Sequence, residues 1–233
     1  MSEYSSKIID IIQRIELEEK EQLDKVSKLV CDVIVNDGLI HVFGCGHSHL
    51  PGLDAFYRAG GLANVSVMLD SDLMLHDGAA KSSRMEKMSG IASNVFERYN
   101  VSSNDIIFIL SASGKNLVPI ELADKARENS IKSIGISSSN YFNKDGRLHK
   151  HVDIHIDCKV PYGDACIDIG GIMMGGLSTA TACFILNTCL INGAKLAKQQ
   201  GANVPVYLSG NVEGGRAHNE LLERKYLGRI KNL

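Results

Sequence analysis

After the turn signal at residues 36–38, short apolar runs alternate with longer stretches of helical periodicity. The runs are only four or five residues long, which is typical of buried strands in a parallel sheet covered by helices on both faces. The alternation predicts an α/β fold, a three-layer αβα sandwich around a five-stranded parallel sheet. The predicted strands are Leu39–Phe43, Val65–Met68, Ile106–Leu110, Ser133–Ile136 and Val152–Ile156, with helices at 49–59, 85–98 and 116–129.

The flavodoxin-like strand order 2-1-3-4-5 keeps every crossover of such a sheet short and right-handed, and we predict it on that ground. Residues 1–36 are predicted to form a helical arm in two pieces, which packs on its own domain or on a second subunit. Residues 37–233 then form one domain. Its last part is predicted to contain a loop at 158–170, a long apolar helix and a polar helix from about His218.

Composition excludes several classes of partner and location. The formal charge of −2 provides no field to attract nucleic acid or an acidic membrane. Six cysteines without a CxxC pair, and an N-terminus without a basic-then-apolar region, indicate a cytoplasmic protein with reduced thiols. The uncharged segment Ile169–Ala194 is long enough to span a bilayer, but it contains five glycines and no flanking Trp or Tyr. A core or subunit-interface helix fits this segment better, so we expect no membrane partner.

The first candidate binding loop follows the first predicted strand and has the pattern Gly-x-Gly-x-Ser over Gly44–Ser48. Glycines let a ligand approach the backbone, and the N–H groups at the start of the next helix favour an anion. A dinucleotide-binding loop would carry a third glycine where His49 stands, and a Walker loop would continue with Gly-Lys-Ser/Thr. The pattern therefore disfavours a nucleotide-binding oxidoreductase and predicts an anion site, although such turns also occur as plain strand-to-helix connections.

The second candidate loop follows the third predicted strand and has the pattern Ser-x-Ser-Gly-x-Asn over Ser111–Asn116. Its hydroxyl and N–H groups are suited to a phosphate, which prefers several short charge-assisted hydrogen bonds. Ligands of doubly wound sheets bind outside the carboxyl ends of the strands. Two hydroxyl-rich loops at that edge predict one shared phosphate site.

Together the two motifs resemble those of the sugar isomerase (SIS) domain family, and the resemblance extends from residue 38 to beyond residue 220. The chain is most similar to the branch that contains N-acetylmuramic acid 6-phosphate etherases and phosphoheptose isomerase-like proteins. Four stretches carry the similarity: Gly44–Ser48, Met85-Glu86, Ser111–Asn116 and Ser178–Asn187.

The resemblance implies that a phosphorylated sugar is bound by the loop residues, without a cofactor, in a homodimer or homotetramer with sites near the subunit interface. The residues implied in phosphate and substrate binding are Gly46, His47, Ser48, Ser111, Ser113, Gly114, Asn116, Ser178 and Thr179.

Aldose–ketose isomerisation and elimination of a sugar ether both begin with removal of a proton next to a carbonyl, which requires a nearby base. The resemblance points to Glu86 as that base. Etherases also keep a glutamate on the first crossover helix, where this sequence has Asp54, and this departure weakens the etherase interpretation. Asp54 is kept as a candidate catalytic residue, with a surface role on its helix as the alternative. His218 is the candidate second acid/base, because a late histidine carries protons in the heptose isomerase branch.

Histidines near the first loop leave a metal site open as an alternative, but their spacing does not require one. His47, His49, His76 and Glu86 would have to converge, since a bound metal needs three or four ligands. We predict no metal.

The sequence predicts a phosphosugar-binding protein that acts as an aldose–ketose isomerase. An amino-sugar 6-phosphate etherase or lyase is the alternative enzyme. A non-catalytic sugar-phosphate sensor is the alternative outside enzymes, and it is disfavoured because residues 1–36 are too short for a DNA-binding helix-turn-helix.

Overall fold

The computed structural model describes residues 1–233 and places five parallel strands in one sheet of order β2-β1-β3-β4-β5. This confirms the predicted αβα sandwich and its strand order. Every residue of the three strands β1, β2 and β3 is buried, as expected for a sheet with helices on both faces. The strands of the sheet are β1 Ile40–Gly44, β2 Val65–Met68, β3 Ile106–Leu110, β4 Lys132–Ser137 and β5 Ile154–Asp157; β6 Ala165–Asp168 and β7 Met173–Gly176 form a separate antiparallel hairpin.

Helices cover the two faces of the sheet. One face packs against α1, α2, α3 and α7, and the other packs against α5 and α6, while α8 packs with Leu39 at the amino end of β1. The helices are α1 Glu3–Glu18, α2 Lys20–Val35, α3 Leu50–Ala55, α4 Ala79–Met85, α5 Ile91–Arg98, α6 Leu117–Glu128, α7 Ser178–Gln199 and α8 Gly215–Tyr226, and one 3₁₀ turn at Gly46–His49 leads into α3.

The helix α7 is the central helix of its layer and packs along α2. A Cβ on Gly193 would lie 2.4 Å from Val30 Cγ1, so the glycine permits this close approach. By length and composition α7 would suffice to cross a membrane, with a mean hydropathy of 1.3, but core helices have the same character. In this fold one side of α7, including Ile185, Leu186 and Leu190, is buried against α2 and the sheet, while Ile191 is exposed.

The first two helices share the core of the sheet. Ile15 of α1 and Val26 of α2 are fully buried in the same hydrophobic cluster as β1 and α7. The arm predicted at residues 1–36 therefore packs on its own chain here, and its separation from residues 37–233 as a domain stays a prediction.

Three predicted elements differ from the structure. Of the helix predicted at 85–98, only Ile91–Arg98 is helical as α5, because α4 ends at Met85 and Gly90, with φ +89, precedes the new helix. The helix predicted at 49–59 ends at Ala55. The glycine-rich segment before Ser178 forms the β6–β7 hairpin rather than loop and helix, since Gly170, Gly171 and Gly175 all have positive φ, which a helix does not accept.

Candidate functional site

The two serine-containing turns lie side by side at one edge of the sheet. Strand β1 ends at Gly44 and strand β3 at Leu110, and these two residues are partners in the parallel ladder. The residues that follow, 45–48 and 111–116, therefore leave the sheet at neighbouring points. The two turns are therefore close enough for one ligand to contact both of them.

The first turn depends on a close contact between two parts of the backbone. A Cβ on Gly44 would lie 2.1 Å from the Ser48 carbonyl oxygen, so only glycine fits there. Gly46 has φ +55, and the Ser48 amide donates to the Cys45 carbonyl at 3.0 Å. The Nδ1 atom of the buried His49 contacts the Gly46 carbonyl and holds the turn from inside. The turn thus presents its backbone to the edge of the sheet where an anion would bind.

The second turn is held by hydrogen bonds that leave its hydroxyl hydrogens free to donate. The Gly114 amide donates to the Ser111 carbonyl at 2.9 Å and to Ser111 Oγ at 3.2 Å. The Lys115 amide donates to Ser113 Oγ at 3.4 Å. Gly114 has φ +60 and lies against Leu148. Because both serine oxygens act as acceptors within the turn, their O–H groups can point towards a ligand.

A small cavity joins the first turn, the second turn and the start of α7. The amides of Thr179 and Ala180 have no acceptor within the chain, as expected for the first turn of a helix, so they add donors at this point. The cavity is lined by the predicted residues His47, Ser48, Ser111, Ser178 and Thr179, together with Pro51, Leu110, Ala112, Ile136, Cys158 and Ala182.

A second cavity of about 170 Å³ adjoins the first, and Ser48 and Ser111 line both. It brings Glu86 to the serine turns, so the candidate base and the candidate phosphate donors share one cleft. Its lining residues are Cys45, Ser48, Glu86, Leu110, Ser111, Ala112, Ser113, Asn116, Pro119 and Tyr141.

Glu86 lies at the break between α4 and α5, not early in a helix. Its backbone carbonyl accepts from the Val118 amide at 3.2 Å, which ties the residue to the start of α6. Burial raises the pKa of the Glu86 carboxyl, and the Asn116 side chain and Lys87 oppose the rise. A half-buried carboxylate with a raised pKa is what proton abstraction near neutral pH requires.

Two predicted catalytic residues lie outside the cleft of the single chain. Asp54 on α3 pairs with Arg58 and faces Asn187, with its Oδ2 3.5 Å from Asn187 Nδ2. His218 on α8 is exposed, and its Nε2 is 2.9 Å from the Val206 carbonyl oxygen. Their catalytic roles stay predictions.

The histidines considered for a metal do not form a cluster. The ring centroids of His49 and His76 are 6.4 Å apart, and His47 is exposed. No group of three or more His, Cys, Asp or Glu side chains that could hold a metal ion is present in the chain.

Asp164 also lies at this edge, and the sequence analysis placed it only within the predicted loop at 158–170. Its Oδ1 accepts from the amides of Leu177 at 3.1 Å and Ser178 at 2.8 Å, and its Oδ2 accepts from Ser178 Oγ at 2.6 Å. The Ser178 hydroxyl is therefore already donated, which leaves Thr179 as the free hydroxyl at the start of α7. Cys45 and Tyr141 were also missed as lining residues, because Cys45 occupies a variable position of the first motif and Tyr141 lies in no motif.

We expect Asp164→Ala to destabilise the protein by about 1–2 kcal/mol more than Asp145→Ala, measured as the free energy of unfolding in urea. Both aspartates have φ +66, so the backbone strain of the substitution is matched. Only Asp164 accepts hydrogen bonds at the start of a helix. Equal destabilisation by the two substitutions would show that the Asp164 carboxylate does not stabilise α7.

Comparisons with known proteins give one family match and relatives along nearly the whole chain. A family model described as SIS domain matches residues 3–138. The UPF0309 protein of Geobacillus thermodenitrificans is 37% identical over 239 residues, which cover 99% of this chain and 96% of that protein.

Two solved structures share the fold at low sequence identity. Phosphoheptose isomerase GmhA from Neisseria gonorrhoeae superposes with a TM-score of 0.55 at 15% identity, over 80% of this chain and 93% of that one. The Vibrio vulnificus NanR protein complexed with ManNAc-6P superposes with a TM-score of 0.53 at 15% identity, over 98% of this chain and 69% of that one.

Proposed function

The chain belongs to the SIS domain family, and from this premise we propose that it binds a phosphorylated sugar and interconverts its aldose and ketose forms. One observation carries the proposal: the half-buried Glu86 lies in the same cleft as Ser48 and Ser111. A phosphate held by the serine turns would place the carbon skeleton of the sugar beside a carboxyl of raised pKa.

The binding half of the proposal follows from the donors at the edge of the sheet. The two turns supply hydroxyl groups at Ser48, Ser111 and Ser113, and α7 adds Thr179 with free amides. Phosphate oxygens gain most from several converging, charge-assisted hydrogen bonds, and helix N-termini favour their charge. The cleft offers this combination at one place.

The chemical half of the proposal is a proton transfer that needs no cofactor. The Glu86 carboxylate removes the proton from C2 of the open-chain aldose, and the electrons of that C–H bond form the C1=C2 double bond of a cis-enediolate with its charge on O1. The proton of the O2 hydroxyl then passes to O1, and the Glu86 carboxyl returns its proton to C1. The C2–O2 bond becomes the carbonyl of the ketose, and Glu86 is ionised again.

We assign the transfer between O1 and O2 to His218, supplied across a subunit interface of a homodimer or homotetramer. In the single chain the exposed His218 lies outside the lining of the cleft. A second subunit is therefore needed for this assignment, and a chain that is monomeric at working concentration would contradict it.

A non-catalytic sensor is the second candidate. It is favoured by the NanR structure, which holds a sugar phosphate, ManNAc-6P, and whose match covers nearly the whole of this chain. A sensor would use the serine turns in the same way and would leave Glu86 without a role in turnover. An amino-sugar 6-phosphate etherase is less supported, because Asp54 pairs with Arg58 outside the cleft.

The experiment that separates these functions is incubation of the protein with hexose, hexosamine and heptose phosphates in heavy water. An isomerase incorporates deuterium at C2 of its substrate, measured by NMR, and converts it to the ketose. If the protein is a sensor, one sugar phosphate raises the melting temperature of the protein, and no deuterium is incorporated into any sugar. Neither exchange nor stabilisation with any member of the panel would contradict the proposed ligand class.

We expect Asn116→Ala to move the acid limb of the kcat/KM–pH profile to higher pH. The Asn116 side chain lines the same cavity as Glu86 and lowers the pKa of the Glu86 carboxyl, so its removal lets burial raise that pKa further. Since the base must be ionised, activity then begins at a higher pH.

The matched control for this prediction is Asn129→Ala, at the opposite end of the same helix α6. It should leave the acid limb in place. Loss of a helix cap does not confuse the comparison, because the Asn116 side chain makes no capping hydrogen bond. An acid limb that stays unchanged in Asn116→Ala would contradict the role of Glu86 as the ionising base.

A further inference from the structure

A larger cavity, distinct from the two beside the serine turns, lies between the end of α3 and the C-terminal half of α7. Its volume is about 680 Å³, which falls in the range of small-molecule sites. Leu62 and Leu190 are buried at its floor, and Ala59 and Ile191 lie at its exposed rim. The cleft therefore has an apolar interior that is open to solvent.

One wall of this cleft is fixed by backbone hydrogen bonds between residues 60–63 and 205–207. The Gly60 amide donates to the Tyr207 carbonyl at 2.8 Å, and the Tyr207 amide donates back to the Gly61 carbonyl at 3.0 Å. The Ala63 amide donates to the Pro205 carbonyl at 2.7 Å. The cleft is thus formed before any ligand enters, which lowers the entropy cost of binding.

All the charged side chains that line the cleft are cationic. They are Arg58, Lys195 and Lys198, and no carboxylate belongs to the lining. Arg58 pairs with Asp54 beside the cleft, whereas Lys195 and Lys198 have no carboxylate within 4.0 Å. Two unpaired ammonium groups above an apolar floor favour a molecule with the opposite distribution, an apolar body with an anionic group.

We propose that this cleft is a second binding site, which takes an amphipathic anion of small-molecule size. The apolar body packs against Leu62 and Leu190, and the anionic group lies between Lys195 and Lys198. The site is separate from the sugar-phosphate cleft, although α3 and α7 reach both of them. Its existence does not depend on the proposed isomerase activity.

The test uses two probes that share one apolar body and differ in charge. The probes are 8-anilinonaphthalene-1-sulfonate, an anion, and N-phenyl-1-naphthylamine, its uncharged counterpart, each titrated by fluorescence against the full chain. We expect one saturable sulfonate site per chain. In Lys195→Ala/Lys198→Ala the sulfonate should bind about 5- to 10-fold more weakly, since two exposed attractions are lost, while the neutral probe changes less than about 2-fold.

The controls separate this cleft from the rest of the surface. Lys28→Ala/Lys150→Ala removes two other exposed lysines without carboxylate partners and should leave both probes unaffected. Ala59→Trp fills the exposed rim and should abolish saturable binding of both probes. Binding that survives Ala59→Trp, or sulfonate affinity that is equal in the wild type and in Lys195→Ala/Lys198→Ala, overturns the proposal. The absence of saturable binding, as expected if a second copy of the chain covers the cleft, overturns it as well.

Discussion

Glu86→Gln is expected to lower kcat for isomerisation about 10²- to 10⁴-fold, while KM for the sugar phosphate changes little. The amide has nearly the shape of the carboxylate and can still contact Asn116, but it cannot accept the proton from C2. The serine turns that we propose to bind the phosphate are left intact, so the loss is expected in turnover. Steady-state kinetics and deuterium exchange at C2 measure the effect.

Two further measurements make this result specific. Glu97→Gln, on the exposed side of α5, removes a carboxylate of the same kind and should leave kcat unchanged. Stability is the other readout. Because burial raises the pKa of Glu86 in the folded state, this group stabilises the fold below its unfolded pKa, and that contribution is lost as pH rises through the folded pKa.

Glu86→Gln should therefore be at least as stable as the wild type at pH values above the raised pKa of Glu86. A variant that is inactive yet equally or more stable indicates a base. Full activity in Glu86→Gln would remove Glu86 from the mechanism and favour the sensor.

Gly44→Ala is expected to destabilise the protein by about 3 kcal/mol and to abolish its stabilisation by a sugar phosphate. The added Cβ would lie 2.1 Å from the Ser48 carbonyl oxygen and 2.8 Å from the His49 amide nitrogen, and both are backbone atoms. The turn has to open to relieve the overlap, which costs as much as severe overpacking of a core. For a chain of this size the melting temperature should fall by about 6–12 °C.

The control for the glycine substitution is Gly210→Ala. A Cβ at Gly210 meets no atom within 4 Å, and its φ is not positive. This variant should have the melting temperature of the wild type. It should also keep the stabilisation by the sugar phosphate, which is about 2.7 kcal/mol of unfolding free energy at a ligand concentration 100 times Kd. Wild-type stability together with a normal ligand shift in Gly44→Ala would contradict the described turn.

Local patterns in the sequence determined the sheet and the two turns. The apolar runs of β1, β2 and β3 were placed to within one residue, because burial on both faces leaves a signal that does not depend on distant parts of the chain. The glycines at 44 and 46 were recognised for the same reason, since a tight turn restricts its own residues.

Only the tertiary structure decided which polar side chains meet in the cleft. Glu86 was expected within a helix, yet it ends one, and its neighbour Asn116 is 30 residues away in the chain. The Ser178 hydroxyl is donated to Asp164, and Asp54 pairs with Arg58 outside the cleft. Hydrophobic periodicity specifies which face of an element is buried, whereas the partner of a polar side chain depends on how elements distant in sequence pack together.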